Sequence, residues 1–376
     1  MIDFLLGAFT ILTARAQKII KELEASSTLP APVIPQCALI AARTRKLLPN
    51  LRRRTKVIKQ VKSKIAAGQL RFDQAEPILR GSLLAYRDLT RELNATEEYF
   101  VGHIKRLIRA DLFLTTLSAA LWKETNLPGL PPVTVSSTSG YFCTLASLGI
   151  IFSPPSVEDH LLILPDLYHE AGHLVHDRLN LFGTRFVAAL ADHRQALINQ
   201  VRRTSRPLRP QTISDISARW MVRWAEEVAC DALAARLVGP AYGWCNIHLC
   251  LQSPNIYAIG AEHPADIART QHIFRVLKRL GWGSEVDKME DHWNRYVRVV
   301  NHRTVPHFHD YHPEPLFVAV MEDVEESTRN LNIYGSGTYE VSRLLNEAWR
   351  EFLTDPTGYE NSKDHLMTKL KTAVTL

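Results

Sequence analysis

Two histidines and a glutamate lie close together in His169-Glu170-Ala171-Gly172-His173, an H-E-x-x-H pattern within a segment of helical periodicity. Residues four apart lie one turn apart on the same face of a helix, so both imidazoles can bind one metal ion. Glu170, between them, can reach a metal-bound water and act as a general base. The pattern therefore predicts a catalytic zinc site with His169 and His173 as ligands.

A catalytic zinc ion needs a third protein ligand and one position left open for water. The metzincin pattern places a glycine three residues and a histidine six residues after the second histidine. This sequence has His176 and Leu179 at those positions, which excludes that class.

A separate downstream segment supplies the third ligand. Glu227 and Asp231 are four residues apart and share a helix face, so the glutamate can bind zinc while the aspartate accepts a hydrogen bond from a ligand histidine. Glu226 is the competing ligand. Four residues after it lies Cys230 rather than an aspartate, which favours Glu227.

A third pattern follows, H-P-x-x-x-x-R, which runs from His263 to Arg269. In this order the three motifs resemble the gluzincin metallopeptidases, especially the group of CAAX prenyl proteases and heat-shock membrane proteases, over roughly residues 130 to 285. Those enzymes carry transmembrane helices. This sequence has no apolar run of about eighteen residues that would span a membrane, so soluble members of the group are the better comparison.

The resemblance implies hydrolysis of a peptide bond by one Zn²⁺ ion, held by His169, His173 and Glu227, with Glu170 as the base. A further donor must stabilise the oxyanion, and His263 is the first candidate for this catalytic role. An equal interpretation makes His263 an ordinary residue at a helix start. Arg269 can organise the donor. The rival donors are Tyr242, His302, His307, His309 and His312.

The elements that position these residues are predicted to be mainly α-helices with a small sheet, an α+β arrangement with a zincin-like core. Short β-branched runs at Val133–Ser136 and Leu148–Ser153 predict strands, and one helix from Ile213 to Leu237 carries Glu227. From the resemblance, Leu148–Ser153 or the segment before it should pair with an extended peptide substrate.

Three regions are predicted along the chain. They are a basic, helical region 1–127, a metallopeptidase core 128–300, and a region 301–376 with a His-rich loop and C-terminal helices. The net charge of +6 is uneven, because residues 43–71 contain many basic and no acidic side chains. This stretch is either a solvated helix face or a docking surface for an acidic protein or nucleic acid, and the solvated face is favoured. Five cysteines without a C-x-x-C pair favour a reducing, cytoplasmic location.

The function that we expect is therefore that of a zinc-dependent endopeptidase acting on a protein or peptide substrate. Two alternatives stay open. The chain could be a catalytically inactive zinc-binding interaction module, or a peptidase effector that is docked through its basic amino-terminal region. Hydrolysis of an amide other than a peptide is a further alternative.

Overall fold

A computed structural model describes residues 2–24, 31–96, 109–136, 142–154, 157, 160–201, 208–251, 253, 255–300, 303–337, 339–356 and 359–375. Two compact units make up the chain. The first contains Met1–Thr115 and Leu148–Ile150, and the second contains Thr116–Ser147 and Ile151–Leu376. The predicted division into regions 1–127, 128–300 and 301–376 stays a prediction. No helix among the described residues is long and apolar enough to cross a membrane.

The first unit is built from amphipathic helices. They are α1 (Ile2–Glu24), α2 (Ile34–Arg45), α3 (Leu48–Ala66) and α4 (Phe72–Thr96), and α5 (Arg109–Thr125) follows them in the chain. Helix α1 packs against the other three because its apolar residues recur at helical spacing. Phe9, Leu12, Ala16 and Ile19 are all buried on that face.

The basic stretch belongs largely to α3, whose two faces differ. Leu51, Ile58 and Val61 are buried, whereas Arg52, Lys56 and other basic residues of the same helix are exposed. A solvated face and a docking surface for an anionic partner both require this exposure. The proposed partner of residues 43–71 therefore stays a prediction.

The second unit is mainly helical with a small sheet. The strands are β1 (Val133–Ser136), β2 (Cys143–Leu145) and β3 (Ile150–Ser153), paired in the order β1-β3-β2. The helices are α6 (Asp166–Leu179), α7 (Thr184–Val201), α8 (Pro210–Arg219), α9 (Ala225–Val238), α10 (Pro240–Cys250), α11 (Asp266–Arg279), α12 (Gly283–Val300), α13 (Phe308–Tyr311), α14 (Glu314–Ser327), α15 (Glu340–Thr354) and α16 (Tyr359–Thr375). The predicted mainly α fold with a small sheet is confirmed.

Helix α9 forms the centre of the second unit. Its residues from Glu227 to Val238 are all buried, and it packs against α6, α10, α11, α14 and α15. A helix that is buried on almost every side is stable only when other elements surround it. The helix ends at Gly239, which has a positive φ of 69° and lies so close to Tyr334 that a Cβ would collide with that ring. Glycine alone satisfies both conditions.

Two local features differ from the sequence-based expectation. The predicted helix Ile213–Leu237 is interrupted by a π-helical turn at Trp220–Trp224, between α8 and α9. The predicted strand Leu148–Ser153 begins only at Ile150, and an additional strand, β2, precedes it. Because β3 lies between β1 and β2, it has a neighbour on each side, whereas β2 is an edge strand among the described residues.

Candidate metal centre

Helices α6 and α9 carry the residues of the first two motifs, and their backbones lie in close contact at Gly172. A Cβ added at Gly172 would lie 2.8 Å from Cys230 Sγ and 3.0 Å from Cys230 Cα. The glycine of the H-E-x-x-H pattern thus permits a backbone contact that no larger residue would allow. This contact places the face of α6 that carries the two histidines against the carboxylates of α9.

Three side chains converge at the contact. His169 Nε2 lies 3.2 Å from His173 Nε2 and 3.3 Å from Glu227 Oε2, and His173 Nε2 lies 3.5 Å from Glu227 Oε1. His169 and Glu227 are buried, while His173 is partly exposed. Their ligand atoms are close enough together for this group to hold a metal ion.

His169 is fixed on its far side by a buried network. Its Nδ1 lies 3.0 Å from Asp231 Oδ1, so the Nδ1–H donates to this carboxylate. Asp231 also accepts a hydrogen bond of 2.5 Å from the Tyr242 hydroxyl, and Arg269 binds both of its oxygens at 2.7 and 2.8 Å. A bidentate guanidinium–carboxylate pair resists rotation of the carboxylate, which in turn holds the imidazole.

His173 has an equivalent support from the neighbouring residue on α9. Its Nδ1 donates to Glu226 Oε1 at 2.8 Å. Glu226 is therefore turned to the outer nitrogen of His173, whereas Glu227 faces the inner nitrogens of both histidines. The two adjacent glutamates contact different atoms of the same group.

Burial and charge act in opposite directions on these residues. Burial lowers the pKa of His169, but hydrogen bonds to Asp231 and Glu227 outweigh it and raise this pKa well above its usual value. Burial raises the pKa of the Glu227 carboxyl, yet the hydrogen bond to His169 and nearby cations hold it at about 2. The Asp231 pKa is lowered far below its usual range because Arg269 outweighs the effect of burial. The centre therefore keeps its carboxylates ionised and attracts positive charge.

The hydrogen-bond pattern tests whether a metal ion fits. Both histidines can donate Nδ1–H to a carboxylate, and release of an Nε2 proton on metal binding would leave a lone pair on each Nε2. These two nitrogens face each other and Glu227, whose buried Oε2 has no closer partner among the described residues than His169 Nε2 at 3.3 Å. Tetrahedral bonds of about 2.0–2.2 Å separate ligand atoms by about 3.3–3.6 Å, close to the distances between these three side chains. The donor set thus suits a cation.

Glu170 lies beside the cluster and lines a cavity of about 490 Å³ together with His169 and His263. Its buried carboxylate accepts a hydrogen bond from the hydroxyl of Thr144, a residue of the edge strand β2. The same hydroxyl also lies 3.3 Å from the Glu170 carbonyl oxygen. Strand β2 is thereby held next to the candidate base.

The third motif also reaches the centre. His263 Nε2 lies 3.5 Å from Glu227 Oε2, and its side chain is 55% exposed, so it faces the cluster from the rim of the cavity. Arg269 and Tyr242 line the cavity too, but both bind Asp231 behind His169.

The loop histidines have other surroundings. His307 pairs with Asp310 at 3.1 Å, and neither His307 nor His309 is among the residues that line the cavity. His312 is buried and accepts a hydrogen bond of 3.0 Å from the Ala265 backbone N–H. It therefore supports the segment after His263. His302 lies outside the described residues.

Two residues of the site were not assigned a role from the sequence. They are Thr144, which binds Glu170, and Asp166, which lines the cavity one turn before His169. Glu226, which the sequence offered only as the competing metal ligand, binds the outer nitrogen of His173. The acidic first turn of α6 is the one sequence signal that could have indicated Asp166, since carboxylates are favoured at helix starts.

A second group of potential metal ligands, Glu347, Glu351 and His365, lies at the surface on α15 and α16. Arg343 and Lys369 already contact Glu347, at 2.7 and 3.5 Å. These cations neutralise the surface group. In the buried cluster, by contrast, no lysine or arginine among the described residues lies closer to Glu227 than Arg269 at 4.0 Å.

Comparisons with known proteins returned no matching family model, no similar curated protein and no similar solved structure.

Proposed function

We propose that this protein is a zinc-dependent peptidase of gluzincin type with a zincin-like core. One observation carries the proposal. The Nε2 atoms of His169 and His173 and the carboxylate of Glu227 converge within 3.5 Å, and Glu170 lines the cavity beside them. Two imidazoles and one carboxylate, with an open side, form the donor set of catalytic zinc sites.

The residues divide the chemistry among them. When bound, the zinc ion would supply Lewis acidity, which polarises a carbonyl and makes water more acidic. Glu170 would take the proton of the attacking water and pass it to the leaving amine. A carboxylate fixed by the Thr144 hydroxyl keeps one orientation, as a base that acts twice in one cycle requires.

His263 is our candidate for the group that stabilises the oxyanion. It faces the cluster from the cavity rim, and its position near Glu227 lets it reach an atom bound beside the ion. Tyr242 is a weaker candidate because its hydroxyl already donates to Asp231.

An extended peptide would add to the edge of β2. This strand pairs with β3 on one side only among the described residues, and it carries Thr144 next to Glu170. Main-chain hydrogen bonds to such an edge align a peptide without regard to its side chains. Of the two segments that the sequence offered for this role, the one before Leu148–Ser153 is favoured, since β3 has both edges occupied.

The test combines metal analysis with digestion of a proteome-derived peptide library. We expect one equivalent of zinc, cleavage by the wild-type protein, and loss of cleavage in Glu170→Gln with the zinc retained. Glu290→Gln, at an exposed residue paired with Lys278, is the matched control and should cleave normally. A wild-type protein that binds zinc but cleaves no peptide would favour the interaction-module alternative.

A further inference from the structure

The cavity beside the candidate metal centre has walls of two kinds. Phe142, Ile163 and Leu249 give it apolar sides, while Asp166 and Asp266 add carboxylates. Its volume of about 490 Å³ lies within the usual range of ligand pockets, about 300–1,000 Å³. The cavity can therefore receive a side chain that is apolar along its length and charged at its end.

No hydrogen bond or ion pair within the described residues engages the carboxylate of Asp166 or that of Asp266. Burial raises the pKa of the Asp166 carboxyl to about 6, in spite of the opposing charge of His169. Both aspartates are partly exposed on the cavity wall, so a cation that enters the cavity can pair with their carboxylates.

The charged residues of the cavity also favour a cationic ligand. Arg269 is the one basic side chain besides the histidines among the described residues that line the cavity, and Asp231 neutralises it through the bidentate pair. The carboxylates of Glu170, Asp166 and Asp266 line the cavity, and the Glu227 carboxylate lies beside it, 3.5 Å from His263, so four acidic groups remain. A divalent ion at the cluster would offset two of these four charges, so the cavity would stay anionic even with the ion bound.

We propose that Asp166, with Asp266, selects substrates that carry a lysine or arginine side chain next to the hydrolysed bond. The apolar walls would contact the methylene stem, and the carboxylates would bind the ammonium or guanidinium group. This inference rests on the proposed peptidase function and names its substrate class. Asp166 is a specificity residue, since it lies one helical turn before His169 in the same cavity.

The first experiment measures cleavage preference. The wild-type protein should cleave library peptides at bonds flanked, at one fixed position, by lysine or arginine. For a matched peptide pair with arginine or uncharged citrulline at this position, we expect kcat/KM to favour arginine by about 10- to 100-fold. Asp166→Asn should reduce this ratio by about 10-fold or more, and Asp266→Asn should also reduce it.

The control is Asp177→Asn, the same change at an exposed position of α6 that does not line the cavity. It should leave the arginine-to-citrulline ratio unchanged. Asp166→Lys should shift the preference towards glutamate. Cleavage without any preference for a basic residue, or a preference that both Asp166→Asn and Asp266→Asn retain, would overturn the inference while the proposed function stands.

If no peptide is cleaved, a binding measurement decides. Butylguanidinium and its uncharged analogue butylurea can be compared by ligand-observed NMR on the zinc-loaded protein. Binding of butylguanidinium alone, lost in Asp166→Asn, would support the cation site although the peptidase proposal had failed. Equal signals from both compounds would refute it.

Discussion

Replacing Gly172 with alanine should push α6 and α9 apart and so separate the ligands of the candidate metal centre. The new Cβ would lie 3.0 Å from Cys230 Cα, a backbone atom, whereas ordinary contacts begin at 3.4 Å. Relief therefore requires a displacement of about 0.4 Å, since no side-chain rotation can move a Cα. His169 and His173 are on one side of this contact and Glu227 is on the other.

The expected magnitudes follow from this displacement. Metal–ligand distances tolerate deviations of about 0.2 Å, so we expect Gly172→Ala to weaken zinc binding by about 10-fold or more. Overpacking costs about 1–3 kcal/mol, and alanine regains up to about 1 kcal/mol through its helix propensity. The metal-free variant should thus lose up to about 2 kcal/mol in its free energy of unfolding.

Urea unfolding of the metal-free protein and zinc competition with a chromophoric chelator measure both effects. Gly81→Ala is the matched control, because Gly81 lies within α4 and a Cβ there meets nothing within 4 Å. Gly81→Ala should raise the free energy of unfolding by about 0.5–1 kcal/mol and leave zinc binding unchanged. The double variant Gly172→Ala/Cys230→Gly lacks Sγ and Cβ of Cys230, the two side-chain atoms closest to the new Cβ. It should therefore recover part of the lost stability and of the lost zinc affinity. A Gly172→Ala variant that behaves like Gly81→Ala would refute the close-contact argument.

Three further changes test the supports of the centre. Asp231→Asn leaves Arg269 buried without its carboxylate and should lower the free energy of unfolding by about 3–5 kcal/mol in urea titrations. Glu226→Ala removes the acceptor of a ligand histidine and should weaken zinc binding by about 10- to 100-fold in the chelator assay. Burial lowers the pKa of His312 to about 4, whereas a histidine in the unfolded chain has a pKa of about 6.5. As the pH falls, this histidine is therefore protonated in the unfolded chain before it is protonated in the folded protein. The stability that neutral His312 provides, which includes its bond to Ala265, is then present above about pH 6.5 and lost towards pH 4. The excess stability of the wild type over His312→Leu should shrink by up to about 3 kcal/mol across this range in urea titrations at successive pH values.

The parts of the site that depend on helix periodicity alone could be predicted from the sequence. His169 with His173, and Glu227 with Asp231, are pairs four residues apart, and the geometry of a single helix places each pair on one face. The strand Val133–Ser136 was predicted with the bounds that β1 has, because its β-branched residues stand between clear breakers.

Features that depend on packing between distant segments could not be predicted in this way. Arg269 meets Asp231 across 38 residues of sequence, and no local pattern encodes that pairing. Strand β2 has three residues, too few for an alternating pattern to be recognised. The π-helical turn at Trp220–Trp224 adds a residue to one turn of a sequence whose apolar spacing reads as ordinary helix.

The choice between Glu226 and Glu227 shows where periodicity reaches its limit. The sequence treats them as rivals for one role, since a single metal ion needs one more carboxylate. In the structure both contact His173, on opposite nitrogens, because adjacent residues on a helix point about 100° apart and can reach around a ring held between them. With Asp231, helix α9 thus provides one carboxylate for the cation and one for the outer nitrogen of each histidine. Three carboxylates on one buried helix are stable only if positive charge compensates them, and the Arg269 guanidinium compensates Asp231 alone in full. The Glu227 carboxylate faces the Nε2 atoms of both histidines, and a metal ion held by these three groups would compensate its charge, which is the strongest physical reason to expect a metal ion at this position.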